Sequence, residues 1–562
     1  MPKKSSGTQS ANFVERPKKD DDMVQYWRQQ IDLGIKWRWR TSGKNDRFWT
    51  KYKQYYRGNW SEKFGVLEDS IQLDDYLPTN RIFSYIRSIV PKVYFRNPGV
   101  LITKGNSSPQ GLDDTRIVQT VADYLIRELR LKRVMKRAVL CAMLTGVAIV
   151  KEGWGSIFLD GVERQDAAGN VLEHAAYAKV GLPWAQAIDP MSFVVPYGTR
   201  DFEECDWCAH AIWRPVEYAR QDQNFAHRSA LKGTNIPNDL FGILPKPPIE
   251  ETSALRWVRL WEVHDKTSGA LYVIADGSPF LHYKGTDELQ IEHLPFRVLT
   301  FDEDLDTMWA ISTVKIMEPQ QLELNDIRTM EASYRRRDFT KILVDSGVPD
   351  SAVSAINDAS TPLAAVKIPE PRKNVMILTS GMPADLSRSG EEADNDLRYE
   401  VGFSRNQAGE VSTGRRTARE IEVARMAAEI RNDERRDATS DFFAETVNDL
   451  LQISFKFMSS TTVERIAGQS WASRDPSLLP YDLGIIVNPE ESRPMNAMVQ
   501  RSEAVELFGA LQGNPVVNPI ALVLHLLEEY DIDPMTFIDP QVAQVVAALI
   551  QSRQQGGGQQ NA

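Results

Sequence analysis

The sequence predicts an α+β protein, mostly helical, and three observations carry that prediction. Ala418 to Met458 contains no Pro and no Gly and is dense in Ala, Glu and Arg. Its apolar residues recur at helical spacing, first at Ile421, Ala424, Ala427 and Ile430, then at Phe443, Val447, Leu450 and Leu451. Between Val147 and Phe301 the apolar period shortens to two, the alternation of strands with one buried face. Polar helical segments then flank a short strand-rich insert, placing helix and strand in separate blocks rather than in alternation.

Taken in order, residues 1–22 are polar and without periodicity and read as a flexible tail. From Met23 to Trp60 aromatics (Trp27, Trp37, Trp39, Trp49, Tyr52, Tyr55, Tyr56, Trp60) interleave with Arg and Lys. Such a mixture can stack bases or sit at a membrane interface. The simpler reading is buried rings covered by basic stems. In Leu77 to Gly105 an apolar helix from about Ile82 is expected to stop near Pro91 and give way to an extended segment. Asp113 to Gly153 reads as two amphipathic helices burying Leu125, Leu129, Val134 and Leu140, with Gly146 ending the second and VAIVKEGW continuing as a strand. The period-two block predicts strands at Ala148–Phe158, Ala185–Val195, Trp207–Trp213, Trp257–His264 and Ala270–Ile274.

Next comes a mostly polar helix, Ser312 to Lys341, with a kink expected at Pro319. A compact segment follows with strands at Ile342–Val344, Ala365–Ile368 and Val375–Leu378, and then a second polar helix from Asp385 to Asn406. Thr417 followed by Glu420 has capping-box spacing and sets the start of the long helix, which at 1.5 Å per residue runs roughly 60 Å. Its middle, Arg431 to Thr439, is almost wholly polar, so its two halves are expected in different environments. Short helices are expected at Pro489–Leu511 and Pro519–Tyr530.

Composition narrows the function. The chain of 562 residues is 42% hydrophobic and 25% charged, an ordinary globular balance with ample length for a large core. No apolar run approaches the roughly 20 residues that span a bilayer, and the N-terminus lacks the apolar stretch of a secretory signal, so the expectation is a cytosolic protein without membrane contact. A net charge of −11 argues against a tight grip on nucleic acid and suits a protein past which DNA slides.

Chemical motifs are sparse. Walker A, G-x-G-x-x-G, H-E-x-x-H and G-x-S-x-G are absent. Asp189, Asp201, Glu203, Glu204 and Asp206 are enough carboxylates for a two-metal site but lack fixed spacing, so solvated loops are the plainer reading. Cys205, Cys208 and His210 form C-x-x-C-x-H without a fourth zinc ligand nearby, since Cys141 is far off, and read as partly buried thiols. His264, His282 and His293 read as packing residues of the β block.

The glycine-flanked loop before the long helix is the candidate working part. Gly409 and Gly414 permit unusual dihedrals, Ser412 and Thr413 offer hydroxyls beside Val411, and Arg415 and Arg416 cluster positive charge. The arginines either face phosphates or pair with Glu420 and nearby carboxylates at the helix start.

Polar helix, compact insert, polar helix, glycine-flanked loop and long helix, set between a β-containing block and a helical C-terminus, resembles the order in tailed-bacteriophage portal proteins, the head-to-tail connectors. The resemblance covers most of residues 77–458 and is carried by EPQQLELNDIRTMEASYRRRDFTK and GEVSTGRRTAREIE. It implies a homo-oligomeric ring, typically a dodecamer, at one capsid vertex of the virion, assembled in the bacterial host cytoplasm. Through this DNA channel the viral genome is packaged and ejected. Residues 23–311 would be the wing body, 312–341 and 385–406 the stem helices, 342–384 the clip and 407–416 the tunnel loop. Residues 417–488 would hold the long wing helix and 489–553 a crown-like helical region, with a flexible tail at 554–562. Implied partners are the terminase packaging motor, a head-tail adaptor, the major capsid and scaffolding proteins and passing double-stranded DNA. The resemblance implies no cofactor, no metal and no enzyme, with ATP hydrolysis in the separate motor. Two other classes stay open: another virion structural or adaptor protein, and a nucleic-acid-processing enzyme with a carboxylate metal site.

Overall fold

Of the N-terminal aromatics, Trp27, Trp49, Tyr52 and Tyr55 are buried, Trp37, Tyr56 and Trp60 half-buried and Trp39 exposed. A computed structural model describes residues 19–42, 47–60, 77–94, 97–104, 111–154, 164–165, 171–173, 182–233, 256–290, 293–337, 341–344, 375–378, 384–401, 418–467 and 483–487, with a few isolated residues besides. Helix α1 spans Asp20–Ser42 and α2 Arg47–Arg57. The tail expected through residue 22 ends earlier, because Asp20, Asp21 and Asp22 form the first turn of α1, where carboxylates complement the helix dipole. Trp27 is fully buried, its ring 5.5 Å from that of Trp207 and 5.6 Å from that of Tyr272. Trp49, Tyr52 and Tyr55 of α2 join the main core.

Helix α3 (Arg81–Val93) starts at Asn80, whose side chain accepts from the Phe83 N–H at 2.9 Å. It ends at Val93, near Pro91 as expected, with the proline inside its last turn. A proline in the last turn forfeits only one hydrogen bond, and Ile82, Ile86, Ile89 and Val93 are buried along the helix. Strand β1 (Val100–Lys104) follows, then α4 (Gly111–Glu128) and α5 (Leu131–Thr145). Gly146 turns the chain from α5 into β2 (Val147–Trp154) at a φ of +87°, and a Cβ there would lie 2.0 Å from the Ala310 carbonyl oxygen. Only glycine fits that turn.

Strands β3 (Arg164–Gln165) and β4 (Val171–Glu173) form a small pair. Strand β2 is central in a three-stranded sheet between β5 (Pro183–Ile188) and β11 (Phe296–Thr300). A five-stranded antiparallel sheet takes its strands in chain order: β6 (Phe193–Val194), β7 (Trp207–Pro215), β8 (Trp257–Asp265), β9 (Ala270–Ala275) and β10 (Leu281–Thr286). Consecutive strands lie side by side, with a short helix α6 (Val216–Gln221) after β7.

Helix α7 (Thr313–Arg337), strands β12 (Lys341–Val344) and β13 (Val375–Leu378), helix α8 (Ala384–Val401) and the 40-residue helix α9 (Ala418–Phe457) complete the predicted order. Helix α7 continues through Pro319. A helix α10 (Ser460–Ala467) follows, and strand β14 (Leu483–Val487) pairs antiparallel with β1. The chain divides into two compact units, Met1–Ser492 and Arg493–Ala562, and every element named here belongs to the first. The helices expected at 489–511 and 519–530 and the strand at 365–368 lie outside the described residues, apart from isolated positions. No helix among the described residues is long and apolar enough to cross a membrane.

The largest core joins α2 through α5, β2, β5 and β11 to the second half of α9, which contributes Phe442, Phe443, Val447, Leu450 and Leu451. The polar middle of α9 is half inside the protein: Asn432, Arg436, Thr439 and Ser440 are buried while Glu434 and Asp437 are exposed. Arg436 donates to the Lys92 carbonyl at 3.0 Å, and the Thr439 hydroxyl to the Arg435 carbonyl at 2.7 Å.

Candidate functional site

Helices α7 and α8 pack as an antiparallel pair. Gln320 donates to the Glu400 carboxylate at 2.5 Å, and a Cβ on Gly390 would lie 3.3 Å from Ile327 Cγ2, so residue numbers rise on one helix as they fall on the other. Between these helices in sequence, β12 and β13 pair antiparallel, Lys341 opposite Leu378 and Val344 opposite Val375. The four elements form one hairpin, and α9 begins 17 residues after α8 ends (418 − 401).

The polarity of α7 is partly spent inside the protein. Gln321, Asn325 and Thr329, four residues apart, lie on one side of the helix and are fully buried. The Arg81 and Ile82 N–H groups donate to Gln321 Oε1 at 3.0 and 3.2 Å, and Gln321 Nε2 donates to the Thr79 carbonyl at 2.6 Å. Asn325 Oδ1 accepts from the Thr79 N–H at 2.9 Å, and Thr329 Oγ1 from the Leu77 N–H at 3.2 Å. This stripe holds the entry to α3, where the N–H of the fully buried Ile82 would otherwise lack a partner.

Charged pairs tie the helix pair further in. Glu318 takes Lys51 and lies 3.4 Å from the Tyr55 hydroxyl. Asp394 of α8 pairs with Arg81 of α3 at 2.9 Å and with Arg398 at 2.9 Å. Apolar surface nevertheless remains open: Tyr399 is 80% exposed and Leu305, just ahead of α7, 90%.

A buried polar cluster pins α9 to β11 and β2. Arg297 of β11 donates to both oxygens of Asp449 on α9, Nε at 2.5 Å and Nη2 at 2.9 Å, and its Nη1 lies 3.3 Å from Glu445. His293 Nδ1 donates to the Leu294 carbonyl at 2.8 Å, and its Nε2 lies 2.9 Å from Asp449. Burial alone would raise the Asp449 carboxyl, yet the hydrogen bonds from Arg297 and His293 hold it below the usual carboxylate range. His293 is held above the usual imidazole range, because its bond to Asp449 outweighs its partial burial. Glu152 of β2 is fully buried, with no hydrogen-bond partner for either oxygen among the described residues. Burial and then the charge of Asp449 push its carboxyl well above the usual range. Beside the cluster lies a cavity of about 650 Å³, lined in part by His293, Arg297, Glu445, Phe296, Met308 and Leu305.

The carboxylates singled out in the sequence do not converge. Asp189 caps the short turn at Pro190–Ser192 and pairs with Lys53 at 2.7 Å, while Asp201 accepts from the Glu203 N–H at 3.1 Å. Glu203, Glu204 and Asp206 are exposed. Cys205 and Cys208 are buried thiols, Cys205 pushed up to about 12 and Cys208 well above its ordinary value, in both cases chiefly by burial. Metal binding needs thiolates, which this environment disfavours. Among the described residues no group of three His, Cys, Asp or Glu side chains is placed to hold a metal ion. His264, 2.5 Å from Asp287, and His282, between Ala226 and Ser278, are hydrogen-bonded packing residues. His293 differs, because it belongs to the α9 anchor.

The loop candidates Gly409, Val411, Ser412, Thr413, Gly414, Arg415 and Arg416, with the proposed cap at Thr417, lie outside the described residues. The anchor was not foreseen. Arg297 and Asp449 are 152 residues apart and no local spacing links them. No known protein-family model matches the chain, and no curated protein matches it.

Proposed function

We propose that the chain is a portal subunit: one copy in a ring at a capsid vertex, through which a phage genome is packaged and released. One observation carries this reading, the antiparallel α7–α8 hairpin closed by β12 and β13 and followed by a 40-residue helix whose second half is built into the core. In this reading α7 and α8 are the stem and β12–β13 the clip, with the loop at 407–416 reaching the channel and α9 bracing it. The internal ties of α7 and α8 to α3 suit a stem that must stay rigid while DNA passes. The exposed Tyr399 and Leu305 suit surfaces that neighbouring copies cover. The packaging motor, head-tail adaptor, capsid and scaffolding proteins are the partners this role requires.

Packaged DNA per particle tests the reading. Capsids assembled without the protein should contain no genome, and capsids carrying the Arg415→Ala/Arg416→Ala double variant should hold less DNA than wild type. Full-length genome in capsids that lack the protein contradicts the proposal.

A further inference from the structure

The chain is acidic overall, at −11, yet residues 127–137, RELRLKRVMKR, hold six cations and one anion. Helix α5 concentrates them. Leu131, Met135, Ala138, Val139 and Ala142 form its buried side, while Lys132, Arg133, Lys136 and Arg137 lie on the other, and the helix has no acidic residue. Arg87 of α3 stands close enough that, after partial burial, it and Lys132 hold the Lys136 ammonium below its ordinary range. Among the described residues, Arg87, Arg133 and Arg137 have no ion-pair partner. Like charges crowded on a folded surface repel one another, and an anionic partner removes that cost.

The same chain carries a complementary surface. Glu323 and Asp326 of α7 and Asp396 of α8 have no ion-pair partner among the described residues, and the antiparallel register sets Asp396 about level with Glu323. Partial burial and then Glu323 push the Asp326 carboxyl up. We propose that the cationic α3–α5 face of one copy docks on the acidic α7–α8 face of a second copy. A contact between two different patches of one chain repeats head to tail, and rotation closes such a series into a ring. This inference rests on the ring reading and names the surfaces that would hold it. Nucleic acid fits the cationic face less well, because the chain as a whole repels a polyanion.

The test is a charge swap on the full chain, read by mass measurement and electron microscopy in low and high salt. Arg133→Glu/Lys136→Glu/Arg137→Glu and, separately, Glu323→Lys/Asp326→Lys/Asp396→Lys should each lower the assembled fraction about tenfold or more at low salt, since like charges then face each other. Mixing the two variants should restore assembly, because each then offers the other a complementary face. Circular dichroism establishes folding, and the milder Arg133→Gln/Arg137→Gln variant, expected to weaken assembly in the same direction, takes the place of any charge reversal that does not fold. Wild-type rings with unaffected variants overturn this inference and leave the portal reading standing, whereas absence of wild-type rings overturns both. Rings that persist in the cationic-face variant while retention of a short DNA duplex is lost would mark the face as a phosphate contact and overturn the proposal.

Discussion

Asp449 is the residue on which the α9 anchor depends, since one carboxylate receives Arg297 through two bonds and His293 through a third. Asp449→Asn leaves a largely buried guanidinium with only the half-exposed Glu445 as a close counter-charge, a loss expected to cost about 3 kcal/mol and to lower Tm by several degrees. Glu152→Gln should do the reverse or nothing: the amide keeps the shape of a carboxyl that burial, and then the charge of Asp449, push well above the usual range. Thermal melts of both variants at neutral pH check the contrast, and a Gln variant as damaged as the Asn variant would contradict it. His293 sets a pH dependence whose sign follows from its raised folded-state value. Its contribution is complete below about pH 6.5, the unfolded value, and is lost as pH rises through the folded one. Glu152 adds loss in the same direction, while Asp449, held low, loses its contribution only in acid. Asp449 favours the charged form of this histidine and Arg297 opposes it, so replacing it should flatten the decline in Tm on the alkaline side of pH 6.5 without abolishing it. An unchanged slope in His293→Gln would remove the histidine from the account.

At the scale of elements, the buried stripe on α7 makes an unusual prediction for a helix. Gln321→Leu adds apolar volume at a fully buried position, yet it should destabilise, because the Ile82 N–H loses its partner and the Arg81 N–H and Thr79 carbonyl keep only each other. Unpaired buried groups cost about 1–3 kcal/mol each, more than one side chain's gain in burial recovers here. Denaturant unfolding of Gln321→Leu and Gln321→Ala measures this, and a leucine variant as stable as wild type would show those backbone groups finding other partners. The existence of α9 was legible from its lack of Pro and Gly and from its 3.6-residue period, and α7 and α8 from polar helical runs that persist despite Pro319 and Gly390. The side on which their polar residues point was not. Gln321, Asn325 and Thr329 look solvent-directed in sequence, and only the segment at 77–82, some 240 residues earlier, explains them. The pairing of β1 with β14 escaped for the same reason, as did the Arg297–Asp449 bond: a contact across hundreds of residues leaves no local period. The cationic face of α5 was plainly present in residues 127–137, but a periodicity reading weighs the apolar positions and passes over the charges opposite them.

At the scale of the molecule, the proposed ring brings the hairpin, the long helix and the charged faces into one account. A single chain leaves Leu305 and Tyr399 largely in water and leaves cationic and acidic faces each facing solvent. Closed rotational assembly would give all of these a partner at once. The measurement that tests this most directly is the mass of the purified chain across the micromolar range, taken with electron micrographs of the same sample. The account predicts one closed oligomer of uniform subunit number, seen end-on as a ring with an axial channel. A monodisperse monomer at every concentration and salt, with no rings on the grid, would contradict it.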